Sequence, residues 1–143
     1  MARRDKIHYQ AKQALENDGW QVTDDPYILK LPTENGKYKQ YPIDLGAEKI
    51  IAAQKGKEKI AVEVKTFGSS SIINDFHKAL GQYMDYLAGL EVQEPARVLF
   101  LMVTEETYEE ILQQPLAKLS LNRYKIRVII FDATSNLIVK WIK

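Results

Sequence analysis

The 143-residue sequence contains no cysteine, which excludes disulfide frameworks, thiol nucleophiles and cysteine-based zinc sites and fits a reducing compartment. It also lacks an excess of either charge. Twenty Lys and Arg oppose 19 Asp and Glu, a net charge of +1, which argues against a dedicated nucleic-acid coat protein. Any contact with nucleic acid has to come from a local patch. No stretch approaches the roughly 18 consecutive apolar residues of a membrane span, and the start Met1-Ala2-Arg3-Arg4-Asp5-Lys6 has no apolar run behind its charges. A cytoplasmic protein without a signal peptide or membrane contact is therefore expected. The two histidines, His8 and His77, have no ligand spacing, and G-x-G-x-x-G, P-loop, G-x-S-x-G and H-E-x-x-H motifs are all missing, so a small-molecule enzyme finds no support. Repeats, low-complexity tracts and long linkers are absent too. With 45% hydrophobic and 27% charged residues, the chain reads as one domain over 1–143 with a sizeable core.

Helical spacing of Ile7, Ala11, Ala14 and Leu15 predicts a helix from Asp5 to Asp18, capped by Gly19, with His8, Lys12 and Glu16 on a second stripe. Tyr27 to Leu31 predicts a short strand, ended by Pro32-Thr33-Glu34-Asn35-Gly36. Two longer β-prone runs, Tyr41 to Gln54 and Glu58 to Phe67, predict an antiparallel hairpin turning at Lys55-Gly56, with a bend at Gly46. A helix follows from Ile72 to Leu90, carried by Phe76, Leu80, Tyr83, Leu87 and Leu90. The apolar run Arg97 to Val103 is the best candidate for a strand buried on both faces. Thr104 then caps a helix that is interrupted at Pro115 and resumes to Leu121, before a second hairpin, Tyr124 to Phe131 and Leu137 to Ile142. Hairpins plus a helical crossover predict an α/β domain built on a mixed sheet.

Chemistry concentrates in Lys59-Ile60-Ala61-Val62-Glu63-Val64-Lys65. Strand alternation places Ile60, Val62 and Val64 on one face and Ala61, Glu63 and Lys65 on the other, so a carboxylate and an ammonium share a face. A turn centred on Lys55-Gly56 would set Glu63 opposite Glu48, Lys65 opposite Gly46, and Asp44 diagonal to Lys65; a bulge would bring Asp44 closer and move Glu48 away. The choice of Asp44 or Glu48 as the acid on that strand stays open at this point. Two or three acidic oxygens beside a lysine suit metal-assisted phosphodiester hydrolysis, with Mg²⁺ or Mn²⁺ on hard oxygen ligands and a cation near the water or the phosphate. An isolated E-x-K is more often the solvated face of a half-exposed strand. Context has to supply the rest.

Pro42-Ile43-Asp44, followed by Glu63-Val64-Lys65 and then a helix, resembles the motif of the PD-(D/E)XK nuclease superfamily, with Ile43 inserted between Pro42 and Asp44. Gln82 and Tyr86 are similar to the Q-x-x-x-Y of some branches. Over most of the chain the resemblance narrows to the XisH family. It is carried by Met1-Ala2-Arg3-Arg4-Asp5, Asp18-Gly19-Trp20, Ile43-Asp44-Leu45-Gly46-Ala47-Glu48, Ile60 to Lys65, Lys78-Ala79-Leu80-Gly81-Gln82-Tyr83 and Val139-Lys140-Trp141-Ile142. Family members are cyanobacterial controlling factors for excision of the fdxN element, a programmed DNA rearrangement performed by a separate recombinase, with a small XisI protein as companion. The resemblance implies a restriction-endonuclease-like mixed sheet flanked by helices. It implies Asp44 and Glu63 as metal ligands, Lys65 and Gln82 as further catalytic residues, and Glu16, Glu48, Tyr86 or His8 in accessory roles. Implied partners are DNA, a XisI-like companion and the recombinase; self-association is left open.

A regulatory name is not a reaction, and a nuclease fold kept as a non-catalytic scaffold for the companion or recombinase is the alternative. Charge distribution bears on this. Residues 1–65 hold twelve basic and ten acidic residues, and residues 66–143 eight and nine, so phosphate attraction needs Arg3, Arg4, Lys6 and Lys12 to gather with Lys55, Lys57 and Lys59. Glu105, Glu106, Glu109 and Glu110 would repel DNA and suit a solvent-facing helix start or a protein-partner surface.

Overall fold

Val98–Thr104 is apolar on both faces because both faces are covered: the strand runs parallel to a neighbour on each side, with helices above and below the sheet. The computed structural model describes residues 3–50, 57–67 and 71–143, with side chains over 5–47, 57–67 and 71–143. In chain order the elements are α1 (Arg3–Asn17), β1 (Gln21–Asp24), β2 (Tyr27–Pro32), β3 (Tyr38–Ile43), β4 (Leu45–Ile50) and β5 (Lys57–Val64). These are followed by α2 (Ile72–Gln93), β6 (Val98–Thr104), α3 (Glu105–Thr107) with a π-helical turn (Tyr108–Leu112), α4 (Pro115–Arg123), β7 (Val128–Asp132) and β8 (Leu137–Ile142). A six-stranded sheet has the order β1-β4-β5-β6-β7-β8, parallel only across β5-β6-β7, and β2 and β3 form a separate antiparallel pair. This is the mixed α/β sheet flanked by helices that the sequence predicts.

The alternation of side chains sorts the core into two layers. Leu99, Leu101 and Val103 of β6 meet Phe76, Ala79, Tyr83 and Leu90 of α2, while Phe100 and Met102 point to the other face, toward Ala11, Ala14 and Leu15 of α1. Trp141 packs there against Trp20 and Phe100, with ring centroids 5.6 and 5.1 Å apart. The Thr104 side chain caps α3 by accepting the Thr107 amide, as its position predicts.

Three expectations are corrected. The long run Tyr41 to Gln54 is not one strand: it breaks at Asp44, two residues before the expected bend at Gly46, and its first part pairs with β2 instead of β5. The β4–β5 register couples Leu45 with Val62, Gly46 with Ala61 and Glu48 with Lys59, four positions from the register that a Lys55-Gly56 turn requires. That turn itself lies outside the described residues, as do Lys55 and Gly68 to Ser70. Finally, β1 is a four-residue strand that the sequence pattern does not reveal.

The β2–β3 pair is fastened to the end of α2. Gln93 donates to the Tyr27 hydroxyl (2.9 Å) and the Ile28 carbonyl (3.0 Å) and accepts from the Lys30 amide (2.6 Å), and the Tyr27 hydroxyl donates to Glu94 (2.7 Å). Arg97, only 6% exposed, donates to Glu94 (2.9 Å) and to the Ile60 carbonyl (2.8 Å) and lies 4.6 Å from the Tyr27 ring centre. A cation buried this deeply persists because each of its faces is occupied. At Gly89 a Cβ would come within 2.8 Å of Leu29 Cδ1, so glycine permits the close approach of strand and helix.

Candidate functional site

Asp44 occupies the break between β3 and β4, and the break has a local cause: its Oδ2 accepts the backbone N–H of Val64 at 2.8 Å. The carboxylate is thereby pinned beside Glu63-Val64-Lys65 at the end of β5. Lys65 Nζ lies 3.4 Å from Glu63 Oε1. Glu63 is only 5% exposed, and its Oε2 has no hydrogen-bond partner among the described residues. The strand face that carries it is covered by α2, so the solvated-face reading of E-x-K does not hold here. Ordinary structural carboxylates are exposed or fully paired; this one is neither.

Electrostatics follows from that burial. Desolvation and the neighbouring Asp44 charge raise the Glu63 pKa to about 7, against the opposing pull of Lys65 and the Asp44 backbone amide. Tyr86 is raised as well, by burial first and then by the Glu63 charge, with a hydrogen bond from Gln82 acting the other way. Gln82 Nε2 donates to the Tyr86 hydroxyl at 2.8 Å, as two residues four apart on a helix can.

Two clefts meet at Lys65. A small one of about 240 Å³ is lined by Ile7, His8, Asp44, Val64, Lys65 and Thr66. A groove of about 980 Å³ between the β2–β3 pair and α2 also reaches Lys65, with Lys78, Gln82, Tyr86 and Tyr41 among its walls. Asp44, Glu63, Lys65, Gln82 and Tyr86 thus form one neighbourhood, joined by the contacts above, by the shared clefts and by the electrostatic influence of Asp44 and Glu63 on Tyr86.

Other candidates lie elsewhere. The backbone of Glu48 lies opposite Lys59, four positions from Glu63 and about 13 Å along the strand; of the two candidate acids, Asp44 is the one beside Glu63. Glu16 is exposed, two helical turns and about 12 Å from His8 along α1. His8 lines the small cleft, where its Nε2 lies 2.8 Å from Asp25 Oδ1, and Lys12 donates to Asp25 Oδ2 at 3.1 Å. Of the basic residues that phosphate attraction would need to gather, two have described ion pairs. Lys12 is on the α1 side of the sheet, whereas Lys59 is engaged by Glu94 (3.4 Å) on the α2 side. The side chains of Arg3 and Arg4 lie outside the described residues. Sequence reasoning missed Tyr41, Lys78 and Asp25; Lys78, four residues before Gln82, could have been found by extending the helix face by one turn.

The donor set fits a small hard cation. Asp44 and Glu63 offer two carboxylates, and Glu63 Oε2 is an oxygen donor with no hydrogen-bond partner among the described residues. Mg²⁺ keeps several waters, so two carboxylates suffice; among the described residues no group of three or more acids or histidines could hold a metal. No helix among the described residues is long and apolar enough to cross a membrane.

The family profile described as XisH protein matches residues 1–139. An XisH family protein from Nostoc punctiforme is 36% identical, with 97% of this chain and 100% of that one covered and a TM-score of 0.83. An fdxN element excision controlling factor protein from Anabaena variabilis is 35% identical, with 98% and 100% covered and the same TM-score. No curated protein matches the chain.

Proposed function

The chain belongs to the XisH family, and from that premise we propose that it acts in programmed DNA rearrangement through a PD-(D/E)XK-like site that hydrolyses a phosphodiester. The observation that carries this reading is the buried, incompletely partnered Glu63 carboxylate flanked by Asp44 and Lys65. Burying a carboxylate beside another costs several kcal/mol, and a purely structural position would be filled more stably by an apolar residue.

Asp44 and Glu63 would hold the metal, Mg²⁺ or Mn²⁺, which when bound supplies Lewis-acid polarisation of the phosphate and lowers the pKa of water. Lys65, held within 3.4 Å of Glu63, is placed to balance charge on a phosphate oxygen entering either cleft. The Gln82 amide, tied to Tyr86, borders the groove and would orient the substrate backbone. Purified protein should nick or cleave DNA in the presence of Mg²⁺ or Mn²⁺, and both EDTA and Glu63→Gln should abolish the activity. Activity that persists in Glu63→Gln rejects the assignment.

A second reading, a regulatory scaffold for a XisI-like companion or the recombinase, is favoured by a different surface. Ile72, Ile73 and Leu116 are exposed around an apolar groove of about 520 Å³ beside Glu110, where α2 begins. In that reading a companion elutes together with the protein, Ile73→Asp with Leu116→Asp separates the two, and Glu63→Gln has no effect on the complex.

A further inference from the structure

The groove that adjoins Lys65 is chemically graded along its length. At the end near the carboxylates its walls carry two ammonium groups, Lys65 and Lys78. At the far end they are apolar: Leu29, Leu31, Ala88, Gly89 and Val92. Tyr41, on β3 opposite Leu29 of β2, is half-exposed, and Lys39 Nζ lies 5.8 Å from the centre of its ring. Asp85 is the acidic residue among the lining and lies three residues beyond Gln82 on α2. At about 980 Å³ the groove has the size of a pocket for a discrete ligand.

This shape is present because the β2–β3 pair leans over α2 instead of joining the main sheet. β2 is held to the helix at Gly89 and Gln93, whereas the facing side of β3, where Lys39 and Tyr41 alternate with outward residues, is left uncovered. A half-exposed tyrosine above an apolar floor provides a stacking surface for a flat heterocycle, and cations at the mouth provide for its phosphate. A paired base cannot present its face to Tyr41 while it is stacked in a helix.

We propose that the groove between the β2–β3 pair and α2 receives an unpaired nucleotide, its base against Tyr41 and the apolar end, its phosphate at Lys65 and Lys78. The inference rests on the phosphodiester reading of the adjoining carboxylates and narrows it to substrates with single-stranded or extruded nucleotides. Asp85 disfavours a second phosphate deeper in the groove, which sets the polarity of the bound unit: base inward, phosphate outward.

The test is equilibrium binding in EDTA, where nothing is cleaved, using a fluorescently labelled 20-nucleotide single strand and the same strand in a duplex. Fluorescence anisotropy should show at least tenfold tighter binding of the single strand. Tyr41→Ala, and separately Ala88→Phe, which fills the groove from an exposed helix position, should each weaken single-strand binding about tenfold or more, and Tyr41→Phe should restore it. Equal affinity for the two probes, or single-strand affinity unmoved by both variants, overturns the proposal. The two readings fail separately. Metal-dependent cleavage of duplex that is indifferent to Tyr41 removes the groove and keeps the carboxylate site. Tyr41-dependent strand binding without any Glu63-dependent cleavage keeps the groove and removes the hydrolytic reading.

Discussion

Asp44 holds Val64, accepting its amide across the gap where β3 ends and β4 begins. One hydrogen bond therefore fixes the acid from one strand relative to the acid and lysine of the next. Replacing Asp44 with Ala leaves that amide without its acceptor and should cost about 1–3 kcal/mol in chemical denaturation. Asp44→Asn keeps an acceptor and removes the charge, so it should be milder. It should also lower the Glu63 pKa, read by NMR titration of the Glu63 carboxyl carbon, because the Asp44 charge is one of the forces that raise it.

Glu63 makes stability depend on pH in the direction opposite to a salt-bridged carboxylate. Its folded pKa of about 7 lies above its unfolded value, so between roughly pH 4.5 and 7 the folded state holds more protons than the unfolded one. Stability falls over that interval and the loss is complete above it. Glu63→Gln should match the native protein near pH 4.5 and exceed it by about 2–4 kcal/mol at pH 8, measured by urea titration at both values.

Metal affinity should follow the same proton. Because ligation needs the deprotonated carboxylate, Mg²⁺ or Mn²⁺ should raise the thermal midpoint more at pH 8 than at pH 6. Glu63→Gln should abolish the increase at both. An increase independent of pH, or one retained in the variant, would place the cation elsewhere.

Glu94 supports the groove from its far end by receiving Tyr27, Arg97 and Lys59 together. Glu94→Ala removes the carboxylate that accepts two hydrogen bonds from the buried Arg97 and should cost about 1–3 kcal/mol in chemical denaturation, and adding Arg97→Leu should recover part of that loss. A double variant no more stable than Glu94→Ala alone would show that the Glu94–Arg97 pair does not govern the cost.

How far the sequence carries can be followed along β5. The alternation of Ile60, Val62 and Val64 with Ala61, Glu63 and Lys65 is a period-2 signal that survives without tertiary information, and the strand and its faces are as the pattern predicts. The α2 helix and the doubly buried β6 were legible for similar reasons, each being long or uniformly apolar. Register was not legible. Ile50 to Ala53 continue the β-prone run, so nothing in the side chains distinguishes the register that a Lys55-Gly56 turn requires from the observed one four positions away. Nor does alternation say whether the second face of a strand is covered. The burial of Glu63 comes from α2 folding over it, an event distant in sequence, and the groove at Tyr41 comes from β3 pairing with β2, which a single unbroken strand would have precluded.

The chain has two tryptophans, and the layer beneath α1 contains both, 5.6 Å apart. Emission excited selectively at tryptophan is consequently a local gauge of how α1 sits on the sheet, and it faces away from Glu63 and the groove. Substitutions around the carboxylates can alter chemistry while leaving that optical signal unchanged. Conversely, a spectral shift on adding nucleic acid would mean that the ligand had reached the opposite surface or that the whole barrier between the two layers had moved.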